Sequence, residues 1–350
     1  MDLSDVVATA MFTGVVLYAL FGGADFGSGF WDLTAGGPRR GSRMRVLIDH
    51  SIGPVWEANH VWLIYILVFL WTAYPTVFAA VMTTLFIPMS LALLGIVLRG
   101  ADFAFRKYSA TLSQARLFGA LFAGASLITP FFFGTAVGAI ASGRVPAEGY
   151  GDVVGSWLNP TSILGGTLAV GTSAFLAGVF LTADAARSGD HALAEYLRSR
   201  TLLVGVVTGA IAIAAIAPIR RDAPTLGAEL LGRALPLIVL SAAAGVLTLA
   251  LIHRRRFGWA RVPAAVAVAA IVIGWAVAQT PWILVDQMLI ADAAGARATL
   301  LGLLAVVALA AVTVLPALTC LFWLAQTDAW VRDEPVAVGS AEHAEDTDVA

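Results

Sequence analysis

Long apolar stretches follow one another along this chain, and they constrain its fold more than any other feature. Each is about 20 residues long, which is what an α-helix needs to cross a hydrocarbon core about 30 Å thick. Of the 350 residues, 59% are apolar and 13% are charged, whereas about a quarter of the residues in a soluble domain are charged. The pattern therefore predicts an all-α, polytopic membrane protein.

The apolar runs between polar breaks predict about nine transmembrane helices. They fall at residues 7–33, 47–72, 76–99, 117–141, 161–184, 201–219, 234–252, 262–280 and 299–324. Residues 1–325 would then form a transmembrane helical domain. Residues 326–350 are acidic and poor in apolar side chains, which predicts a disordered cytoplasmic tail.

Basic residues are distributed unevenly between the two sides that nine crossings define. Of the 21 Lys and Arg residues, sixteen fall on one side and only five on the other, namely Arg144, Arg220, Arg221, Arg233 and Arg297. By the positive-inside rule, the N-terminus is expected outside and the C-terminus in the cytoplasm. The N-terminal segment lacks the basic region of a signal peptide, so the first apolar stretch is expected to remain a membrane helix. The net charge of -2 gives no indication of a nucleic-acid partner.

Short similar strings recur four predicted helices apart. Thr129-Pro130 and Thr280-Pro281 belong to the fourth and eighth helices, and Gly23-Ala24-Asp25 and Thr182-Ala183-Asp184 to the first and fifth. Such offsets would suit two four-helix bundles plus one peripheral helix, although strings this short also arise by chance.

The densest polar cluster within an apolar stretch lies at residues 53–62 of the second predicted helix. Glu57 and His60 are three residues apart and share a helix face, and Trp56 and Asn59 share the neighbouring one. Ionisable residues inside membrane helices often mark proton paths. The alternative is that Pro54 starts the helix and Glu57 only complements the helix dipole. That alternative explains Glu57 but not Asn59 and His60.

Asp25 is the second candidate, because small residues surround it in Phe21-Gly22-Gly23-Ala24-Asp25-Phe26-Gly27-Ser28-Gly29. Such residues let another helix approach closely, which would leave Asp25 in a tight junction. It either belongs to a proton path or only pairs with a nearby arginine such as Arg99 or Arg106.

Metal and haem binding find little support in the chain itself. The single cysteine, Cys320, excludes an internal disulfide and a cysteine cluster. His60 would need a second haem ligand at the same depth, and the other histidines fall near predicted helix ends, in loops or in the tail. We therefore expect no cofactor and no metal bound by this chain alone.

Several stretches resemble subunit II of the cytochrome bd family of quinol oxidases. They are Gly23-Ala24-Asp25-Phe26-Gly27-Ser28-Gly29, residues 52–64 around Trp56 and Glu57, Arg99-Gly100-Ala101-Asp102-Phe103 and the Thr-Pro strings. The resemblance runs across nearly the whole chain except the final tail. It is most specific around Trp56 and Glu57.

The resemblance implies a partner, subunit I, that carries b-type haems, haem d and the quinol site. This chain would be the haem-free subunit of the heterodimer, with Glu57 lining a proton route from the cytoplasm, flanked by Trp56 and Asn59. Some relatives carry Gln at the position of His60, which weakens a ligand role for that residue. A structural quinone, membrane lipids and small accessory subunits are further expected partners.

Two other functions compete with this interpretation. Ionisable groups within helices and a duplicated bundle are also typical of a secondary transporter. The second alternative is a purely structural membrane subunit that stabilises its partner without conducting protons.

Overall fold

The computed structural model describes residues 2–37, 41–52, 56–106 and 112–326. Some side chains within these ranges, including those of Trp56 and Glu57, lie outside the described part. The elements are α1 (Leu3–Thr34), α2 (Ser42–Ile52), α3 (Trp56–Ala73), α4 (Pro75–Thr84), α5 (Phe86–Arg106), α6 (Leu112–Ala141), α7 (Pro160–Arg187), α8 (His191–Asp222), α9 (Pro224–Leu230), α10 (Leu235–His253), α11 (Phe257–Gln279), β1 (Trp282–Leu284), β2 (Met288–Leu289), α12 (Ile290–Ala293) and α13 (Arg297–Gln326). The two strands form one antiparallel hairpin.

Seven of the described helices are long and apolar enough to cross a membrane: α1, α6, α7, α8, α10, α11 and α13. Helices α3 and α4 pass the same test only together, with a bend of 116° between them, and α5 contains a shorter apolar segment, Phe86–Ala101. The chain is therefore a multi-pass, all-α membrane protein, as the hydropathy predicts. Within the described residues the structure supports seven or eight spans, so the exact count of nine is not confirmed.

The prediction of one helix at residues 76–99 is wrong. The segment forms two helices, α4 and α5, separated at Leu85, where the backbone leaves the helical conformation. Pro88 supplies the reason, because it has no N–H to bond the carbonyl of Thr84 and its ring would clash with that carbonyl in a continuous helix. The predicted helix at 47–72 corresponds to α2 and α3, and residues 53–55 between them lie outside the described residues.

Most of the long helices can be described as two groups that pack against each other. Helix α1 packs against α3 and α6, and α5 packs against α6. Helix α7 packs against α8 and α11, and α10 packs against both α8 and α11. The groups meet where α1 and α6 contact α7. The contacts between the two groups are as extensive as those within them. The predicted pair of four-helix bundles therefore stays a prediction.

The repeated strings occupy different positions in these bundles. Thr129 and Pro130 lie inside α6, which continues to Ala141, whereas Thr280 and Pro281 follow the end of α11. Asp25 also lies well inside α1 rather than at its end. The Thr-Pro strings therefore do not support an internal duplication.

The chain divides into two compact units, Met1–Val307 and Ala308–Ala350. The first contains both helix groups. It also contains an apolar core in which Leu300 lies with Tyr74 and Leu284. Of the second unit, the structure describes residues 308–326, which are helical. The predicted tail from residue 327 onward lies outside the described residues.

Candidate functional site

An ion pair between Asp25 of α1 and Arg99 of α5 is buried in the first helix group. The two residues are only 2% exposed, and Arg99 Nη2 lies 2.6 Å from Asp25 Oδ1. The same Nη2 donates a hydrogen bond to the backbone oxygen of Asp25 at 2.9 Å. The hydroxyl of Ser28 donates to that oxygen as well, at 2.6 Å. The arginine is thus held by both the side chain and the backbone of one aspartate.

Two aromatic rings complete the surroundings of the Arg99 guanidinium. Its central carbon lies 4.9 Å from the ring centroid of Phe26 and 4.9 Å from that of Phe122. Cations at this distance from an aromatic ring are attracted by its negative face, and the attraction grows when water is excluded. The rings therefore help to offset the desolvation of Arg99.

His60 of α3 adjoins this ion pair. Its ring centroid lies 5.9 Å from that of Phe26 and 6.4 Å from that of Tyr18, in edge-to-face arrangements. The Phe26 ring thus lies beside both the His60 imidazole and the Arg99 guanidinium. We call Tyr18, Asp25, Phe26, His60 and Arg99 the Asp25 cluster. It joins α1, α3 and α5 within the membrane-spanning part of the protein.

Several polar atoms in and beside the Asp25 cluster have no hydrogen-bond partner among the described residues. They are Tyr18 Oη, Asp25 Oδ2, Arg99 Nη1 and, on α3, Asn59 Oδ1. Asn59 is 3% exposed. Buried polar atoms are nearly always hydrogen-bonded to protein or to ordered water. Unpartnered atoms also occur elsewhere in the described part of the chain, as at Asp32 Oδ2 and Arg261 Nε, but four of them lie in or beside the Asp25 cluster.

The structure brings three of the five predicted site residues into one region. Asp25 and His60 both belong to the Asp25 cluster, and Asn59, which precedes His60 on α3, is buried. The backbones of Trp56 and Glu57 form the first turn of α3, but their side chains lie outside the described part. That position of Glu57 fits both the proton path and the helix-dipole interpretation.

Arg99 and Tyr18 complete the site. The sequence indicated Arg99 only as one of two arginines that Asp25 could contact, and the structure confirms this pair. Tyr18 was missed. A signal for it existed, because residues 18 and 25 are seven apart and so share a helix face.

Another aspartate–arginine contact lies at the end of α7. Asp184 pairs with Arg187 at 2.7 Å and also with Arg261 of α11. Arg261 additionally donates to the backbone oxygen of Phe180 and has its guanidinium carbon 5.2 Å from the Phe180 ring centroid. Its side chain is 18% exposed, against 3% for Arg99. Burial therefore distinguishes the Asp25 cluster from the contact at Asp184.

No group of three or more His, Cys, Asp or Glu side chains that could hold a metal ion occurs in the described part of the chain. The fold and the site together define a multi-pass helical membrane protein with an ion pair buried inside its helix bundle. The chain belongs to the family of cytochrome bd terminal oxidase subunit II, whose model matches residues 3–325. It is thus a subunit of an oxidoreductase complex, which implies a partner subunit I.

Individual relatives agree with this family. The chain is 28% identical to the cytochrome bd ubiquinol oxidase subunit 2 of Bacillus subtilis (strain 168), over 74% of each chain. It is 31% identical to the cytochrome bd-I ubiquinol oxidase subunit 2 of Escherichia coli (strain K12), over 46% of this chain and 44% of that one. In fold it is similar to a chain of the bd oxidase from Geobacillus thermodenitrificans, with a TM-score of 0.79 and 23% identity over 93% of this chain and 98% of that one.

Proposed function

We propose that this chain is the haem-free subunit of a bacterial quinol oxidase and that it serves two purposes. It stabilises the haem-bearing subunit I, and it helps to deliver protons from the cytoplasm for the reduction of oxygen to water. The family supports the oxidase over a secondary transporter. The observation that carries the proton role is the Asp25 cluster, an ion pair surrounded by buried polar atoms inside apolar helices.

The chemistry of the complex explains why such a path is needed. Reduction of oxygen to water consumes protons, and a bilayer core does not supply them. Taking protons from the cytoplasm while quinol releases protons outside creates a membrane potential. Haem and quinol would bind to subunit I, and a structural quinone, lipids or accessory subunits at this chain remain predictions.

Each polar residue has a distinct part in the proposed path. Glu57, flanked by Trp56 at the start of α3, would take up protons near the cytoplasmic surface. Asn59 and His60, one turn further along α3, would continue the path by hydrogen bonding. Asp25 would accept and release a proton through Oδ2, while Arg99 fixes Oδ1.

His60 fits this role better than haem ligation. The rings of Phe26 and Tyr18 pack against its imidazole at 5.9 Å and 6.4 Å. A haem held by His60 would need a second ligand at the same depth, whereas these neighbours of the imidazole are aromatic rings. We propose that the haems bind to subunit I.

The test compares Asp25→Asn and Asp25→Glu in the purified complex. If Asp25 conducts protons, quinol-driven oxygen consumption per haem falls about tenfold or more in Asp25→Asn, in line with the loss of one proton-transfer group. Asp25→Glu should retain a larger share of activity. Normalising to the haem absorption spectrum separates turnover from assembly.

Asp32 provides the matched control. It also lies on α1, is 3% exposed and pairs with an arginine, Arg45, at 2.6 Å, but it lies outside the Asp25 cluster. Asp32→Asn should keep wild-type oxygen consumption per haem. Equal turnover in Asp25→Asn and Asp32→Asn would contradict a proton role for Asp25. The chain would then only stabilise subunit I.

A further inference from the structure

A pocket of about 440 Å³ opens where α7 and α10 end and α11 begins. Four arginines line it, together with one tryptophan: Arg187, Arg255, Arg256, Trp259 and Arg261. We call this the basic pocket. It is separate from the Asp25 cluster, and the proposed proton path does not use it.

Carboxylates neutralise only part of the charge in the basic pocket. Arg187 and Arg261 share one carboxylate, Asp184. Arg255 pairs with Glu195 at 3.3 Å, and Glu195 already pairs with Arg198 at 2.6 Å. Arg256 forms no ion pair with any described residue. The pocket therefore carries an excess of positive charge and is suited to an anion with several oxygen atoms.

An apolar surface runs from the basic pocket along α11. Trp259 is 76% exposed and Val262 is 69% exposed, and both lie on one helix stripe with the partly exposed Val266 and Ile273. Tryptophan is typical of the boundary between headgroups and hydrocarbon. An occupant with a charged head in the pocket and an apolar tail along this stripe would satisfy both surfaces.

We propose that the basic pocket binds the headgroup of an anionic phospholipid, with an acyl chain lying along Trp259, Val262 and Val266. Basic pockets between membrane helices recognise such headgroups through charge and hydrogen bonding. The guanidinium groups of Arg255 and Arg256 hold the phosphate, and the apolar stripe selects a lipid over a soluble phosphate. The site does not depend on the proton role of Asp25.

The experiment uses the delipidated, detergent-purified complex of this chain with subunit I. Phosphatidylglycerol is titrated in, and its binding is followed by native mass spectrometry and by the rise in unfolding temperature. Arg256→Gln should weaken binding about fivefold, since one arginine near an anionic lipid contributes about 1 kcal/mol. Arg255→Gln combined with Arg256→Gln should weaken it about 25-fold.

Arg254→Gln is the control, because Arg254 lies two residues from Arg256 at the same helix end but does not line the pocket. It should bind phosphatidylglycerol as the wild type does. Equal weakening in Arg254→Gln and Arg256→Gln would overturn the site in favour of general surface attraction. If inorganic phosphate raised the unfolding temperature as much as phosphatidylglycerol does, the proposal that the occupant is a lipid would be overturned. Cross-linking of a photoreactive side chain at position 256 to another protein chain would overturn it as well.

Discussion

Arg99 and Asp25 compensate for each other's charge at a depth where neither reaches bulk water. Taking two such charges out of water costs several kcal/mol for each, so the pair persists only because each group is neutralised and hydrogen-bonded by the other. Here the two rings beside Arg99 and the hydroxyl of Ser28 add further contacts. Removing one partner should therefore be worse than removing both.

This gives a prediction for stability. Arg99→Gln should destabilise the complex by about 3–5 kcal/mol, because it leaves the Asp25 carboxylate buried without a counter-ion. Adding Asp25→Asn to Arg99→Gln should restore most of the lost stability. Thermal unfolding of the purified complex measures both effects. If the double variant were less stable than Arg99→Gln alone, the ion pair would not be the source of the loss.

An exposed ion pair offers the comparison. Arg233 and Glu229 are four residues apart, and their side chains are 50% and 36% exposed. Glu229→Gln breaks this pair and leaves the hydrogen bond from Arg233 to the backbone oxygen of Thr280 in place. It should leave the unfolding temperature almost unchanged, since exposed pairs contribute little.

The sequence indicated candidate polar residues but left most of their contacts open. Asp25, Asn59 and His60 stand out because polar residues are costly in an apolar helix. Which arginine meets Asp25 depends on how α1 and α5 are rotated about their axes. Tyr18 was missed because an aromatic residue in a membrane helix is ordinarily part of the packing.

At the level of helices, close backbone contact fixes α1 against α7. A Cβ atom added at Gly27 would lie 1.9 Å from the backbone oxygen of Ser173. No side chain fits there unless the helices separate, and small residues at such crossings are typical of membrane bundles. The glycines around Asp25 therefore have a packing role of their own.

Gly27→Ala should lower the yield of assembled complex and its unfolding temperature, because the methyl group forces α1 away from α7. Gly209→Ala in α8 is the matched control, since a Cβ there meets no atom within 4 Å in the described part of the chain. It should be neutral or stabilising, as alanine favours helix over glycine by about 1 kcal/mol. Equal behaviour of the two variants would argue against the close contact.

The start of α8 predicts a pH effect. Asp190 caps this helix by accepting a hydrogen bond from the Leu193 N–H at 2.9 Å. That hydrogen bond, assisted by Arg43, lowers the pKa of Asp190 below its ordinary value. Folding thus favours the ionised form. Its contribution is complete above the unfolded pKa of about 3.9 and is lost as the pH falls through the lower, folded value.

Asp190→Asn keeps a capping oxygen but removes the charge. The wild type should therefore unfold at a higher temperature than Asp190→Asn near pH 7, and the difference should shrink as the pH falls below about 4. Asp190→Ala, which removes the cap, should cost about 1 kcal/mol. A difference between wild type and Asp190→Asn that does not change with pH would contradict the role of the charge.

Helix positions were largely predictable because the bilayer imposes a length on apolar runs. The predicted runs at 161–184, 234–252 and 262–280 lie within a few residues of α7, α10 and α11. The break at Leu85 was missed because hydropathy does not change there. Only the backbone chemistry of Pro88 separates α4 from α5.

For the whole molecule, long-range polar contacts join loops that the predicted crossings put on the same side of the membrane. Arg144 contacts Asp222, and Thr225 contacts Asp286, all near loops assigned to the outside. Arg43 contacts Asp190 and Arg255 contacts Glu195, all near loops assigned to the cytoplasm. None of these contacts joins a loop of one side to a loop of the other.

Cysteine labelling in cells would test the orientation. In a Cys320→Ser background, Glu148→Cys should react with a membrane-impermeant maleimide from outside, because it lies in the exposed α6–α7 loop. Ser188→Cys, in the exposed α7–α8 loop, should react only after the membrane is permeabilised. The reverse pattern would invert the assignment that rests on sixteen basic residues against five.

Glu57 tests the central proposal most directly, because it would receive protons before they reach the Asp25 cluster. We expect Glu57→Ala to slow quinol-driven oxygen consumption per haem, and the build-up of membrane potential in liposomes containing the complex, more than Glu57→Asp does. The shorter carboxylate of Asp still carries a proton, whereas Ala does not. Equal, near wild-type rates in both variants would contradict a proton path through this chain.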